Sequence, residues 1–183
     1  MSDTEDNAYD NEQILNYHGL EIREYQMKIA EQCKNKNSLV VIPTGLGKTI
    51  IAVLVTSEIL KAVPADSKII ILAPTRPLIN QHYKIFTQFL NVSEENFAVL
   101  TGKTLPEKRA KIFSEHQILF YTPQTLRNDI VNKKYTLQNT ALIIFDEAHH
   151  SSGDYPYTII SDEFAITNPD GIILGLTASP GAS

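Results

Sequence analysis

"IPTGLGKT", residues 42–49, closes an apolar run and then sets Gly45, Gly47, Lys48 and Thr49 almost side by side. Glycines at those places let the backbone curl and turn its N–H groups inward around an anion, and a helix beginning near Lys48 would aim its positive end at the same point. Lys48 brings a full charge, and Thr49 a hydroxyl suited to a magnesium ion that bridges outer phosphates. Pro43, Thr44, Gly45, Leu46, Gly47, Lys48 and Thr49 therefore read as a cradle for a nucleoside triphosphate. The general pattern G-x-x-x-x-G-K-[ST] has glycine where this chain has Ile42, so the match is partial. A strand that turns through such a loop into a helix opens a β-α-β series, and the rest of the chain should continue it.

It does. Apolar bursts of strand length recur at 39–42, 68–73, 97–100, 118–121, 141–145 and 172–176. Their uniform apolarity and β-branched content predict strands buried on both faces. Between them the spacing turns helical: Leu78, His82, Phe86 and Phe89 or Leu90 share one face, and Leu126 and Ile130 share another. Pro77, Pro106 and Pro123 stand at first-turn positions. There is no internal repeat or low-complexity segment. The expected fold is α/β, with a mostly parallel central sheet, helices on both faces, and ligands beyond the carboxyl ends of the strands.

At one of those ends lies "IIFDEAHH", residues 143–150, where a buried strand runs into two acids and two histidines. A strand ending in Asp146 brings a carboxylate to the same sheet edge as the cradle. There it can hold the magnesium shell while Glu147 orients or deprotonates an attacking water. Solvated acids capping a helix would look the same in isolation; the upstream cradle favours the catalytic reading, with Lys48, Asp146 and Glu147 as its charged members. Adjacent histidines point to different sides of a helix or strand, and Cys33, His18, His82 and His116 are scattered, so a zinc site is not expected. His149 reads as a polar linker that reports nucleotide state to neighbouring strand ends, and His150 as a surface residue.

Composition agrees with one folded unit. The chain has 183 residues, 43% of them hydrophobic, and a formal charge of −5. Residues 1–13 carry Asp3, Glu5, Asp6, Asp10 and Glu12 without a base, and read as an acidic solvated tail ahead of a charge-balanced domain, 14–183. A neutral domain neither requires nor forbids a local basic groove for a polyanion. One cysteine, no secretory leader and no apolar run approaching the roughly 20 residues of a membrane span point to an intracellular protein without a membrane segment. Such a protein would be cytoplasmic in a prokaryote and nuclear in a eukaryote.

Taken in order, "PTGLGKT", "DEAH" and "LTASPG" resemble the first RecA-like domain of superfamily 2 helicases. "IREYQ" at 22–26, "LAPTRPLINQH" at 72–82, "LTG" at 100–102, "YTPQTLRND" at 121–129 and "FDEAHH" resemble the Hef-like branch more narrowly: the archaeal fork-DNA helicase-nuclease and its Fanconi-anaemia relatives. The resemblance covers residues 14–183. It departs at His150, where many members have arginine.

The resemblance implies a RecA-like P-loop domain that binds ATP and Mg2+. Gln26 would read the adenine edge with its amide donor and acceptor, supported by Arg23. Pro74, Thr75, Arg76, Thr101, Gly102, Thr122, Gln124, Thr125 and Arg127 would contact a DNA backbone without reading its sequence. Thr177 and Ser179, with His149, would couple the two sites. It also implies forked or branched DNA as partner and a second RecA-like domain, absent from this chain, to supply an arginine finger. Two alternatives stay open: an RNA-directed helicase or double-stranded RNA sensor, and an interaction module that holds ATP without hydrolysing it.

Overall fold

A computed structural model describes residues 14–43, 47–148 and 155–178. The acidic segment 1–13, the centre of the cradle at Thr44, Gly45 and Leu46, both histidines at 149–150, and Ser179 lie outside the described residues.

The chain runs α1 (Glu24–Cys33), β1 (Ser38–Ile42), α2 (Gly47–Ala62), β2 (Lys68–Leu72), α3 (Arg76–Phe89), β3 (Phe97–Leu100), α4 (Pro106–Glu115), β4 (Ile118–Tyr121), α5 (Pro123–Val131), β5 (Thr140–Asp146), α6 (Tyr155–Thr167) and β6 (Ile172–Ala178). The six strands form one sheet in the order β1-β6-β5-β2-β4-β3. Every pairing is parallel. Pro77, Pro106 and Pro123 each occupy the first turn of a helix, where a missing N–H breaks no bond.

Two apolar layers clamp the sheet. On one face α1, α2 and α3 pack Ile51, Val55, Ile79 and Phe86 against Ile69, Ile71, Ile144 and Leu176. On the other, Leu126, Tyr157, Ile160 and Phe164 of α5 and α6 cover Ile70, Leu72, Leu119, Ile143 and Phe145. Alternate residues of β2 and β5 thus go to opposite layers, which is why those strands are apolar without a break.

β1 departs from the expectation of strands buried on both faces. Leu39 is 62% exposed and Val41 52%, while Val40 between them is buried. β1 is an outer strand paired with β6, and the described helices cover one of its faces. Apolar composition reports burial in the middle of a sheet better than at its margin.

The first crossover decides the layout of the carboxyl edge. From β1 the chain jumps past two strand positions to β2, fills β3 and β4 beyond it, then returns to lay β5 and β6 between β2 and β1. The loops after β1, β5 and β6 therefore share one half of the edge, and those after β2, β3 and β4 share the other. The halves meet where β5 pairs with β2, Phe145 lying opposite Leu72.

Candidate functional site

In the first half, α2 begins at Gly47, so Lys48 and the buried Thr49 stand in its opening turn. The ammonium of Lys48 reaches Asp146 Oδ1 at 3.0 Å and Glu147 Oε1 at 2.8 Å. Asp146 Oδ1 also accepts the Glu147 N–H at 2.9 Å, its carbonyl accepts the Tyr157 hydroxyl at 2.7 Å, and its Oδ2 meets His82 Nε2 at 2.6 Å. The carboxylate is 1% exposed and held from three directions.

Those contacts set the charges. Burial works against ionisation of Asp146, but the hydrogen bond and charge of His82, with those of Lys48, outweigh it and hold the carboxyl below its ordinary range. Burial likewise works against the Lys48 ammonium, and hydrogen bonds and charge from Glu147 and Asp146 overcome it, raising that group. Glu147 sits at φ 55°, a left-handed conformation that a side-chain-bearing residue adopts at a cost of order 1–3 kcal/mol. The turn aims its carboxylate back toward Lys48 rather than onward along the strand.

The donor set fits a hydrated magnesium ion. Lys48 already places a positive charge between the two carboxylates, with a hydroxyl residue one position on. Among the described residues no group of three or more His, Cys, Asp or Glu converges on a metal position. A cation here would draw one or two ligands from the protein and the rest from phosphate and water, the usual way magnesium is held.

Gln26 is 4% exposed at the rim of this half. Its Oε1 accepts the Arg23 N–H at 2.8 Å and its Nε2 approaches the Gly47 carbonyl at 3.5 Å. The α1 residue expected at the adenine thus meets the start of α2, whereas the Arg23 side chain is exposed and contributes its backbone. Gly47 has a packing reason to be glycine: a Cβ there would lie 3.2 Å from the Tyr25 hydroxyl. Thr177, at the end of β6 opposite Val41, is 7% exposed.

The other half of the edge is a cleft of about 510 Å³ lined by Pro74, Thr75, Arg76, Gly102, Lys103, Thr122, Gln124 and Thr125. Seven of these residues were foreseen from the sequence. Thr75 caps α3, its Oγ1 accepting the Leu78 N–H at 3.4 Å, and Thr122 bonds Thr125 at 2.9 Å. Among the described residues, no atom outside Gly102 and its chain neighbours lies within 4 Å of where a Cβ on Gly102 would stand. Thr101 is 9% exposed and lies behind the cleft, its Oγ1 accepting the Lys103 N–H at 3.3 Å. Arg127 is half-buried, its Nε has no partner among the described residues, and it does not line the cleft.

Behind the cleft, Arg109 of α4 and Asp129 of α5 form a buried pair, Nε to both carboxylate oxygens at 2.9 Å and Nη2 at 2.8 Å. Arg109 also donates to the Thr104 carbonyl at 2.8 Å, and the Tyr135 hydroxyl donates to Asp129 at 2.7 Å. The pair ties the turn that carries Lys103 to the helix that carries Gln124.

Sequence reasoning missed two residues at these sites. In the sequence, His82 reads as a helix-face residue without a site role, and Lys103 carries no role beside Gly102. A basic residue directly after a strand-end glycine was signal enough for Lys103.

A profile of the DEAD/DEAH box helicase family matches residues 23–183. A provisionally named ATP-dependent RNA helicase of Methanocaldococcus jannaschii is 45% identical over 163 residues, 89% of this chain and 20% of that protein. The ATP-dependent DNA helicase mph1 of Sclerotinia sclerotiorum is 37% identical over 161 residues, 88% of this chain and 13% of its own. Among solved structures, the crystal structure of the Pyrococcus furiosus Hef helicase domain is similar with a TM-score of 0.85 at 38% identity, over 93% of this chain and 36% of that one. The chain spans a fifth or less of the length of these two sequence relatives.

Proposed function

Because this chain belongs to the DEAD/DEAH box helicase family, we propose that it is the ATP-binding domain of an ATP-dependent DNA helicase or translocase acting on forked or branched DNA. The observation that carries the reading is the meeting of Lys48, Asp146 and Glu147 within 3.0 Å, on the sheet edge that also bears the cleft. In this reading Pro43 to Thr49 cradle the phosphates of ATP, Gln26 with Arg23 selects adenine, and Thr49 and Asp146 hold magnesium. A magnesium ion held there would supply positive charge to offset the negative charge of the phosphates. Lys48 leaves the carboxylates for the phosphates, which frees Glu147 to orient or deprotonate the attacking water.

Pro74, Thr75, Arg76, Gly102, Thr122, Gln124 and Thr125, joined by Lys103, grip the nucleic-acid backbone, with Thr101 shaping the turn behind. Contacts of this kind position a strand without reading it. Arg127 is the weakest of the assigned contacts, since it stands off the cleft. His149, Thr177 and Ser179 couple the two halves. A second RecA-like domain supplies the arginine finger, worth roughly 10³–10⁵ in rate, so these 183 residues alone bind ATP·Mg2+ weakly and hydrolyse it slowly. The setting is inside the cell.

The name of the Methanocaldococcus relative favours RNA as a second reading. ATP hydrolysis by the full-length protein, measured against forked DNA, linear duplex DNA and duplex RNA, decides between them. The strongest stimulation by forked DNA supports the proposal, stimulation by RNA alone replaces it, and none by either leaves a nucleotide-gated interaction module.

A further inference from the structure

His82 has no part in the functions assigned so far, yet it is one of the most constrained side chains near the nucleotide half. It is 3% exposed, and its Nε2 lies 2.6 Å from Asp146 Oδ2. Its Nδ1 is buried with no partner among the described residues. A leucine or methionine would fill the same volume without stranding a buried polar atom, so packing alone does not account for a histidine here. What the imidazole adds is the bond to Asp146.

That bond divides the carboxylate. Oδ1 faces Lys48 and the Glu147 N–H, on the side where phosphate and cation would lie; Oδ2 faces α3. A carboxylate gripped on both sides cannot swing about its terminal torsion. The grip comes from across the seam of the sheet, because α3 follows β2 and Asp146 ends β5, and these two strands are neighbours.

The same helix starts in the cleft. Thr75 caps it, Arg76 opens it, and both line the cleft. His82 lies six residues beyond Arg76, about 9 Å along the axis at 1.5 Å per residue. Ile79, Phe86 and Phe89 are buried under α3, so it shifts as a packed unit rather than bending locally.

We infer that His82 is a positioning residue that orients the Asp146 carboxylate for a magnesium ion and makes that orientation depend on helix α3, whose first turn borders the nucleic-acid cleft. The inference rests on the functional reading above, because it needs a cation at Asp146 and a polyanion at Arg76. Outer partners that orient a ligating group typically change metal affinity 10–100-fold when removed.

The test is equilibrium binding of a fluorescent ADP derivative to this chain, titrated with MgCl2 and repeated in EDTA, for wild type, His82→Leu and His82→Gln. His82→Leu should raise the magnesium midpoint tenfold or more and alter binding in EDTA by less than twofold, a split that a merely structural role would not produce. His82→Gln, whose amide can still donate to Asp146, should recover much of the midpoint. Adding forked DNA should move the wild-type midpoint at least twofold and leave that of His82→Leu in place. If His82→Leu loses the wild-type circular dichroism spectrum, His82→Asn, too short to keep the contact, takes its place. Equal midpoints in wild type and the contact-breaking variant would overturn the inference alone, as would a DNA-induced shift that survives the substitution. A wild-type chain that binds nucleotide equally with and without magnesium would overturn the functional reading, and this inference with it.

Discussion

Lys48 and Glu147 stand 99 residues apart in the chain and 2.8 Å apart in space. Under the proposed function, the lysine that would reach a phosphate is thus engaged by the carboxylate that would reach a water, and a nucleotide would have to compete for it. Glu147→Gln removes half of that competition together with the proposed base. ATP hydrolysis by the full-length protein should fall 10²–10⁴-fold, while the affinity for a fluorescent ATP analogue stays level or tightens. Steady-state hydrolysis beside fluorescence titration checks both halves.

Lys48→Ala acts in the opposite sense. It removes the group that the proposed function assigns to phosphate and leaves Asp146 Oδ1, a buried acceptor, with the Glu147 N–H as its remaining partner among the described contacts. Nucleotide binding should become undetectable, and the fold should lose about 1–3 kcal/mol in urea denaturation.

The charged cluster also fixes a pH dependence. A carboxyl held below its ordinary range, as in Asp146, stabilises the fold above its unfolded pKa of about 3.9, and that contribution disappears as pH falls through the folded value. A raised ammonium, as in Lys48, stabilises below its unfolded pKa of about 10.4, and the contribution fades as pH rises through the folded value. The gap in melting temperature between wild type and Asp146→Asn should be narrower below about pH 4 than at about pH 5. Calorimetry across that range measures it.

In the cleft, Arg76 and Lys103 are exposed cations that share its lining with Gly102. Arg76→Ala and Lys103→Ala should each weaken binding by a similar factor for DNA of any sequence. Each should lower the slope of log affinity against log salt by about 1. Fluorescence anisotropy at several salt concentrations reads both quantities.

The Arg109–Asp129 pair is a different kind of target. Asp129 is 0% exposed and Arg109 6%, so Asp129→Ala leaves a guanidinium buried without its counter-charge. A loss of about 3–5 kcal/mol is expected in urea denaturation. Tyr135→Phe, which removes one hydrogen bond to the same carboxylate, should cost about 1 kcal/mol.

Much of this arrangement could be read along the chain, because it is written locally. Strand and helix periods, helix-starting prolines and the loop residues after each strand need no distant information, and seven cleft-lining residues follow from them and from a family resemblance. The misses are non-local. Leu39 and Val41 look like core residues until the strand order makes β1 an outer strand. His82 sits correctly on the buried face of its helix, but its partner is 64 residues away, across a seam created by the jump from β1 to β2. No spacing rule within α3 could have named Asp146. Thr44, Gly45, Leu46, His149 and Ser179 fall outside the described residues.

The detour that the chain takes across the sheet has a consequence for anyone who would dissect it. Strands serving the two halves are interleaved along the polypeptide: one of the first kind, three of the second, then two more of the first. A break anywhere between Lys48 and β5 would sever Lys48 from its acids, so the half that holds them cannot be excised as a contiguous piece, and removing the three strands of the other half would take away β2, on which β5 pairs. Engineering one without the other calls for point substitutions, since truncation would dismantle both.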